Sequence, residues 1–176
     1  MKVKKFKIAL LVSSLSLLSV NCFALDGGVL LSFKGLISTK TCNVDVDGVA
    51  SSPVVTLPSI PSTDLPNVGS TAGAKEFRIN LTNCNIYVTR ARSTLIGNRV
   101  TTSGNLGSIG TAKNVSIQVA NAWNSSVIDF SQQEEIISLP TELGKAYIPF
   151  IAKYYAEGTV TGGTVIATAQ YALIYE

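Results

Sequence analysis

Three cysteines, eleven carboxylates and no histidine bound the covalent and acid–base chemistry open to this 176-residue chain. Without an imidazole, neither a Ser-His-Asp nor a Cys-His nucleophile can be assembled, and histidine-ligated metal sites are excluded with them. Acid–base work would fall to a carboxylate pair. The closest, Glu134 and Glu135, would point to opposite sides of an extended backbone, which suits a solvated loop. Gly104, Gly107 and Gly110 imitate a phosphate loop, but no helical pattern follows to supply the helix N-terminus such a loop needs. No catalytic residue, metal or cofactor is expected, so the chain is read as a non-enzyme. What remains is cysteine chemistry and the hydrogen-bonding capacity of strands.

The cysteines are interpreted through the first 24 residues. Lys2, Lys4, Lys5 and Lys7 precede an apolar stretch over residues 8–20, and Asn21-Cys22-Phe23-Ala24 closes it, the layout of an export signal cleaved after Ala24. The apolar stretch is short for a membrane span. A lipid-anchored reading would use Cys22, but Asn21 stands where a small residue is wanted. With the signal removed, ten cations face eleven acids, and the apparent basicity disappears. Arg90, Arg92 and Arg99 are the densest cationic group and suit a solvated strand face, so no nucleic-acid partner is expected. Cys42 and Cys84 then lie in an exported chain, where disulfides persist, and are paired; two cysteines without a histidine cannot complete a usual zinc site.

The elements that would position these residues are strands. Residues 25–176 suffice for one domain, are rich in Val, Ile, Thr and Ser, and lack a sustained 3.6-residue period. Alternation places Leu25, Gly27, Val29, Leu31 and Phe33 on one face of an N-terminal segment, with the period breaking near Gly35. Residues 75–84 put Phe77, Ile79 and Leu81 inward. Further strands are expected over 86–92, 95–102, 114–120, 127–130, 146–157 and 164–175. Turns are expected at 70–74 and 158–163, a loop at 103–110, and only short or edge strand in the proline-rich 53–67. The last strand alternates Gly163, Val165, Ala167, Ala169, Tyr171, Leu173 and Tyr175 on one face. A chain ending on such a strand leaves either a protected edge or one open to a partner. Strands at this spacing describe a β-sandwich. Trp123, beside Asn121 and Asn124, is read as a rim or core anchor, with a sugar-stacking platform as the alternative role.

An exported single domain, a cysteine after an alternating N-terminal segment, a second cysteine ending Leu81-Thr82-Asn83-Cys84, and a terminal strand with Gly163 fourteenth and Tyr175 second from the end together resemble the type 1-like fimbrial (pilin) subunits of the chaperone-usher pathway. Gly27-Gly28, Phe33-Lys34-Gly35 and Pro149-Phe150-Ile151-Ala152-Lys153-Tyr154 add to the likeness, which runs over nearly the whole mature chain. The resemblance implies an all-β, incomplete immunoglobulin-like sandwich lacking its seventh strand and completed by a donor strand from a neighbouring subunit. It implies a signal peptide at 1–24, a donor-strand extension at 25–34 and a pilin domain at 35–176. Leu25, Gly27, Val29, Leu31 and Phe33 would form the donor face. Gly163, Val165, Ala167, Ala169, Tyr171, Leu173 and Tyr175 would form the acceptor-groove and chaperone-recognition strand. The implied partners are a periplasmic chaperone, an outer-membrane usher and other pilin subunits, with a host glycan receptor at the level of the fibre. The expected location is the extracellular fimbrium, and the expected function is a structural subunit supporting adhesion. A minor or tip subunit, or a carbohydrate-binding sandwich module, is the alternative.

Overall fold

The computed structural model describes residues 42–132, 137–140 and 144–175, which fall within the compact unit Ile37–Glu176. The strands are β1 (Asn43–Val46), β2 (Thr71–Thr82), β3 (Arg90–Gly97), β4 (Leu106–Gly107), β5 (Lys113–Asn121), β6 (Ile137–Pro140), β7 (Ala146–Thr161) and β8 (Ala169–Tyr175). They form a five-stranded sheet in the order β1-β2-β7-β5-β4 and a three-stranded sheet in the order β6-β3-β8. Every pairing is antiparallel.

Alternation in β2 sends Ile79 and Leu81 into the core and leaves Arg78 exposed, as the period-two reading requires. Ile148 lies opposite Ile79 and Phe150 opposite Phe77, both β7 residues fully buried, and the Phe150 ring stacks on Phe77 at 5.4 Å. The three-stranded sheet contributes Ala91, Ser93 and Leu95 from β3. Leu106, Ile117, Val119, Ile128 and Phe130 complete this core. A second apolar cluster of Leu65, Ala112, Val115 and Ala156 fills one end, and Val165 packs against both. Residues 53–67 hold no strand but one 3-10 turn, Ser62–Asp64, followed at once by the buried Leu65.

Several boundaries differ from those the sequence suggests. The expected turn at 70–74 is the leading end of β2, because Gly73 takes a left-handed φ of 65° and absorbs a one-residue register shift against β7 while the ladder continues. The expected strands 86–92 and 95–102 are one strand, β3. Its inward Ser93 is polar and interrupts the hydrophobic alternation without interrupting the pairing. β7 runs through the expected turn as far as Thr161. Within 127–130 only Val127 forms a bridge, to Ala120, although Ile128 and Phe130 are buried.

Candidate strand-acceptor site

The terminal strand is fastened along one edge. β8 pairs with β3 from Gly97↔Ala169 to Ala91↔Tyr175, and among the described residues no strand lies on its other side. Before the ladder begins, residues 164–168 are held by hydrogen bonds that all fall on even-numbered residues. Ala112 N donates to Thr164 O (3.0 Å), Ile109 N to Ile166 O (2.8 Å) and Asn98 N to Thr168 O (3.1 Å). Thr164 N donates to Thr111 Oγ1 (2.9 Å) and Ile166 N to Ser108 Oγ (3.2 Å). An extended chain turns successive backbone groups to opposite sides. The backbone of Val165 and Ala167 therefore faces the opposite edge, and period two carries the same direction on to Tyr171, Leu173 and Tyr175.

The side chains of these residues point the way the sequence pattern requires. Val165, Ala167, Tyr171, Leu173 and Tyr175 all pack against the main core, yet each stays partly exposed. Gly163 and Ala169 are exposed. Central strands such as β5 and β7 bury their inward residues fully, so the core-facing side of the terminal strand is incompletely covered. Tyr171 is the exception in degree. Burial pushes its phenol up to about 12, and Tyr175 adds to the effect.

Two glycines fix where this segment enters. A Cβ on Gly163 would come 2.4 Å from Ala112 N, and one on Gly110 would come 2.0 Å from Thr164 O. The backbones of 108–112 and 163–166 thus approach closer than any side chain permits. Beside this crossing lies a cavity of about 150 Å³ lined by Ile60, Leu65, Val115, Tyr154, Gly163 and Val165. The spacing of Gly163 from the chain end identifies the residue, but Gly110 and the lining residues Ile60 and Leu65 carry no sequence signal of their own.

Cys42 and Cys84 are joined by a disulfide with their Cα atoms 4.0 Å apart. It lies just beyond the Asn43↔Thr82 pair, one residue on from Asn43 and two from Thr82, and ties the start of β1 to the end of β2. The donor-face residues Leu25, Gly27, Val29, Leu31 and Phe33 and the boundaries at 24 and 34 lie outside the described residues. No helix among the described residues is long and apolar enough to cross a membrane.

The amides beside Trp123 are engaged with the backbone. Asn121 is buried and its Oδ1 accepts from Trp123 N (2.8 Å), while Asn124 Oδ1 accepts from Ser126 N (3.0 Å), so both amides shape the turn. The ring neighbour of Trp123 is Tyr147, from another strand, at 5.9 Å edge to face.

Two sheets, a staple from β1 to β2 and a one-sided terminal strand with a partly uncovered apolar face define a pilin-type sandwich, one strand short of closure. The chain belongs to the fimbrial protein family, whose model, described as "Fimbrial protein", matches residues 31–176. It is 30% identical to the F17 fimbrial protein of Escherichia coli, covering 87% of this chain and 89% of that one. It is 29% identical to the minor fimbrial subunit HifD of Haemophilus influenzae, covering 98% and 84% respectively. In fold it resembles the P pilus rod subunit PapA, with a TM-score of 0.61, 18% identity and coverage of 76% of this chain and 99% of that one. The protein is a structural subunit of an extracellular fimbria, where it polymerises with other pilin subunits.

Proposed function

We propose that polymerisation proceeds by strand donation from residues 25–34 of one copy to the open edge of β8 on the next. The observation carrying this reading is the terminal strand, whose core-facing residues are apolar, partly exposed and paired through one edge among the described residues. An added strand would bond the outward-turned backbone of the odd-numbered residues and lay Leu25, Val29, Leu31 and Phe33 over the uncovered core. Each such side chain would contribute roughly 1.5–3 kcal/mol by burial, and each net backbone hydrogen bond about 0.5–1.5 kcal/mol. Gly27, on the same face, would let the donor pass where the groove is narrow. This is strand addition to an exposed sheet edge, a mode for which pilins are themselves a standing example.

The same edge would need cover before assembly, because an unpaired apolar strand invites aggregation. A periplasmic chaperone would hold it, with Gly163 to Tyr175 as the recognised strand, and an outer-membrane usher would exchange the chaperone strand for the donor. A host glycan is the receptor class proposed for the assembled fibre. The residue inventory supports a role without catalysis.

The test is deletion of residues 25–34 in cells carrying matched chaperone and usher. Loss of surface fibres and of heat-resistant ladders, with the folded subunit still captured by chaperone, is expected. Fibres of normal length from the deleted chain would refute strand donation.

A further inference from the structure

We propose that the outer face of the five-stranded sheet carries a saccharide subsite built on Trp123, Tyr147 and Arg78, with Asp45, Asn80 and Lys145 around it. It deepens the glycan reading above and needs no part of the acceptor edge.

The site follows from register. Ile79 and Leu81 point inward, so Arg78 and Asn80 point outward, and Tyr147 lies directly across from Asn80. Tyr147 is 49% and Trp123 53% exposed, although aromatic rings of this size are ordinarily drawn into cores. Trp123 is nonetheless held in place. Its own backbone N–H is taken by Asn121 Oδ1, Ala122 N donates to Pro149 O (3.0 Å) and Ser125 N to Asn121 O (2.8 Å). The indole stands edge to face with Tyr147, and the Arg78 guanidinium lies 5.5 Å from the centre of the Tyr147 ring. Tyr147 also forms the border of a shallow depression of about 400 Å³, lined by Leu81 and Ala146 together with Asp45, Asn80, Thr82 and Lys145. The Asp45 carboxylate is oriented before any ligand arrives, since its Oδ1 accepts from Asn80 Nδ2 (2.6 Å) and Gly48 N (2.7 Å).

The chemistry selects the ligand class. The Tyr147 ring at the border, with Trp123 against it, and a carboxylate, an amide, a hydroxyl and an ammonium group around the depression match a ring that has a C–H face and a rim of hydroxyl groups. A pyranose has that construction. A cationic ligand fits less well, because Arg78 beside the Tyr147 ring and Lys145 in the lining already bring positive charge to the site. A phosphate chain fits less well, because Asp45 stands inside the depression. A flat protein contact would leave the depression unfilled.

The experiment probes an array of neutral, N-acetylated and sialylated glycans with the exported protein purified from expressing cells, in whatever state of assembly it is recovered. Binding to at least one pyranose-terminated glycan is expected, with Trp123→Ala weakening it about tenfold, the scale of one lost aromatic contact. Asp45→Asn, which preserves volume, is expected to weaken it as well, and it keeps the test alive should Trp123→Ala fail to fold. No glycan bound by the parent protein, or equal binding by a folded variant, would overturn the subsite. A Trp123→Ala protein that alters fibre shape while the parent binds no glycan would assign the face to subunit packing instead. Fibre formation is scored separately by electron microscopy, so failure to polymerise bears on strand donation and not on this site.

Discussion

Glu157 shows how one side chain can hold a loop to two strands. Its Oε1 accepts from Ser103 Oγ and from Ser116 Oγ, both at 2.6 Å, joining the 101–105 loop to β5 and β7. Ser103 in turn accepts from the buried Asn105 Nδ2 at 3.0 Å and shares a hydrogen bond with Thr101 Oγ1. Burial acts to raise the Glu157 pKa, but Ser103, Ser116, Thr101 and Asn105 outweigh it and hold the carboxyl below its ordinary 4.5. A depressed folded pKa contributes stability that is fully present above 4.5 and is lost as the pH falls through the lower folded value. Glu157→Gln should therefore destabilise the donor-complemented subunit by about 1 kcal/mol at pH 7, less than a buried charge-assisted bond because water screens a half-exposed carboxylate. The difference from the parent should shrink on acidification below pH 4.5, read from urea midpoints. A pH-independent difference would assign the network's effect to shape alone.

β8 poses its question at the level of the element, since one strand must present opposite faces to core and solvent. Leu173 packs against the core, whereas Ile174, one residue on, is 60% exposed. Leu173→Lys would place an ammonium group on the apolar face, at a desolvation cost of several kcal/mol unless a partner is found. Ile174→Lys would place it in water. Fibre yield should fall at least tenfold for the first and stay near normal for the second, counted by electron microscopy; equal yields would mean that the strand does not receive a partner through its core-facing side. That face was legible in the sequence because a single-residue alternation over seven positions has one physical reading. β5 was legible for the same reason, and β2 over its second half. β6 was not, since four residues give alternation too little length to register. Residues 164–168 continue the alternating pattern but form no ladder, because Thr and Ser hydroxyls and the close backbone crossing at Gly110 supply their hydrogen bonds. Those partners lie more than fifty positions away, beyond the reach of a local pattern. Separation along the chain also hid the aromatic cluster, in which Trp123, Tyr147 and Arg78 come from three separate segments.

For the molecule as a whole, the disulfide decides how firmly the start of the domain is fixed. β1 has four residues and, among the described residues, lies at the edge of its sheet with β2 as its one neighbouring strand. Four edge residues give few backbone bonds against the entropy of ordering them. The Cys42–Cys84 link anchors that strand to a core strand of twelve residues. Tension that reached Cys42 along a fibre built by strand donation would pass through the staple into β2 rather than peel β1. The bridged cysteines are 42 positions apart, and closing a loop of that length restricts the unfolded chain by about 4 kcal/mol. Domains of this kind have only about 5–15 kcal/mol in hand. The double variant Cys42→Ala, Cys84→Ala avoids burying an unpaired hydroxyl at Cys84 and should lower the unfolding free energy of the donor-complemented subunit by about 4 kcal/mol. Denaturant titration checks the magnitude. A loss below about 1 kcal/mol, within the range of ordinary substitutions, would mean that β1 is held by its strand pairing alone and that the bridge acts only after the fold is complete.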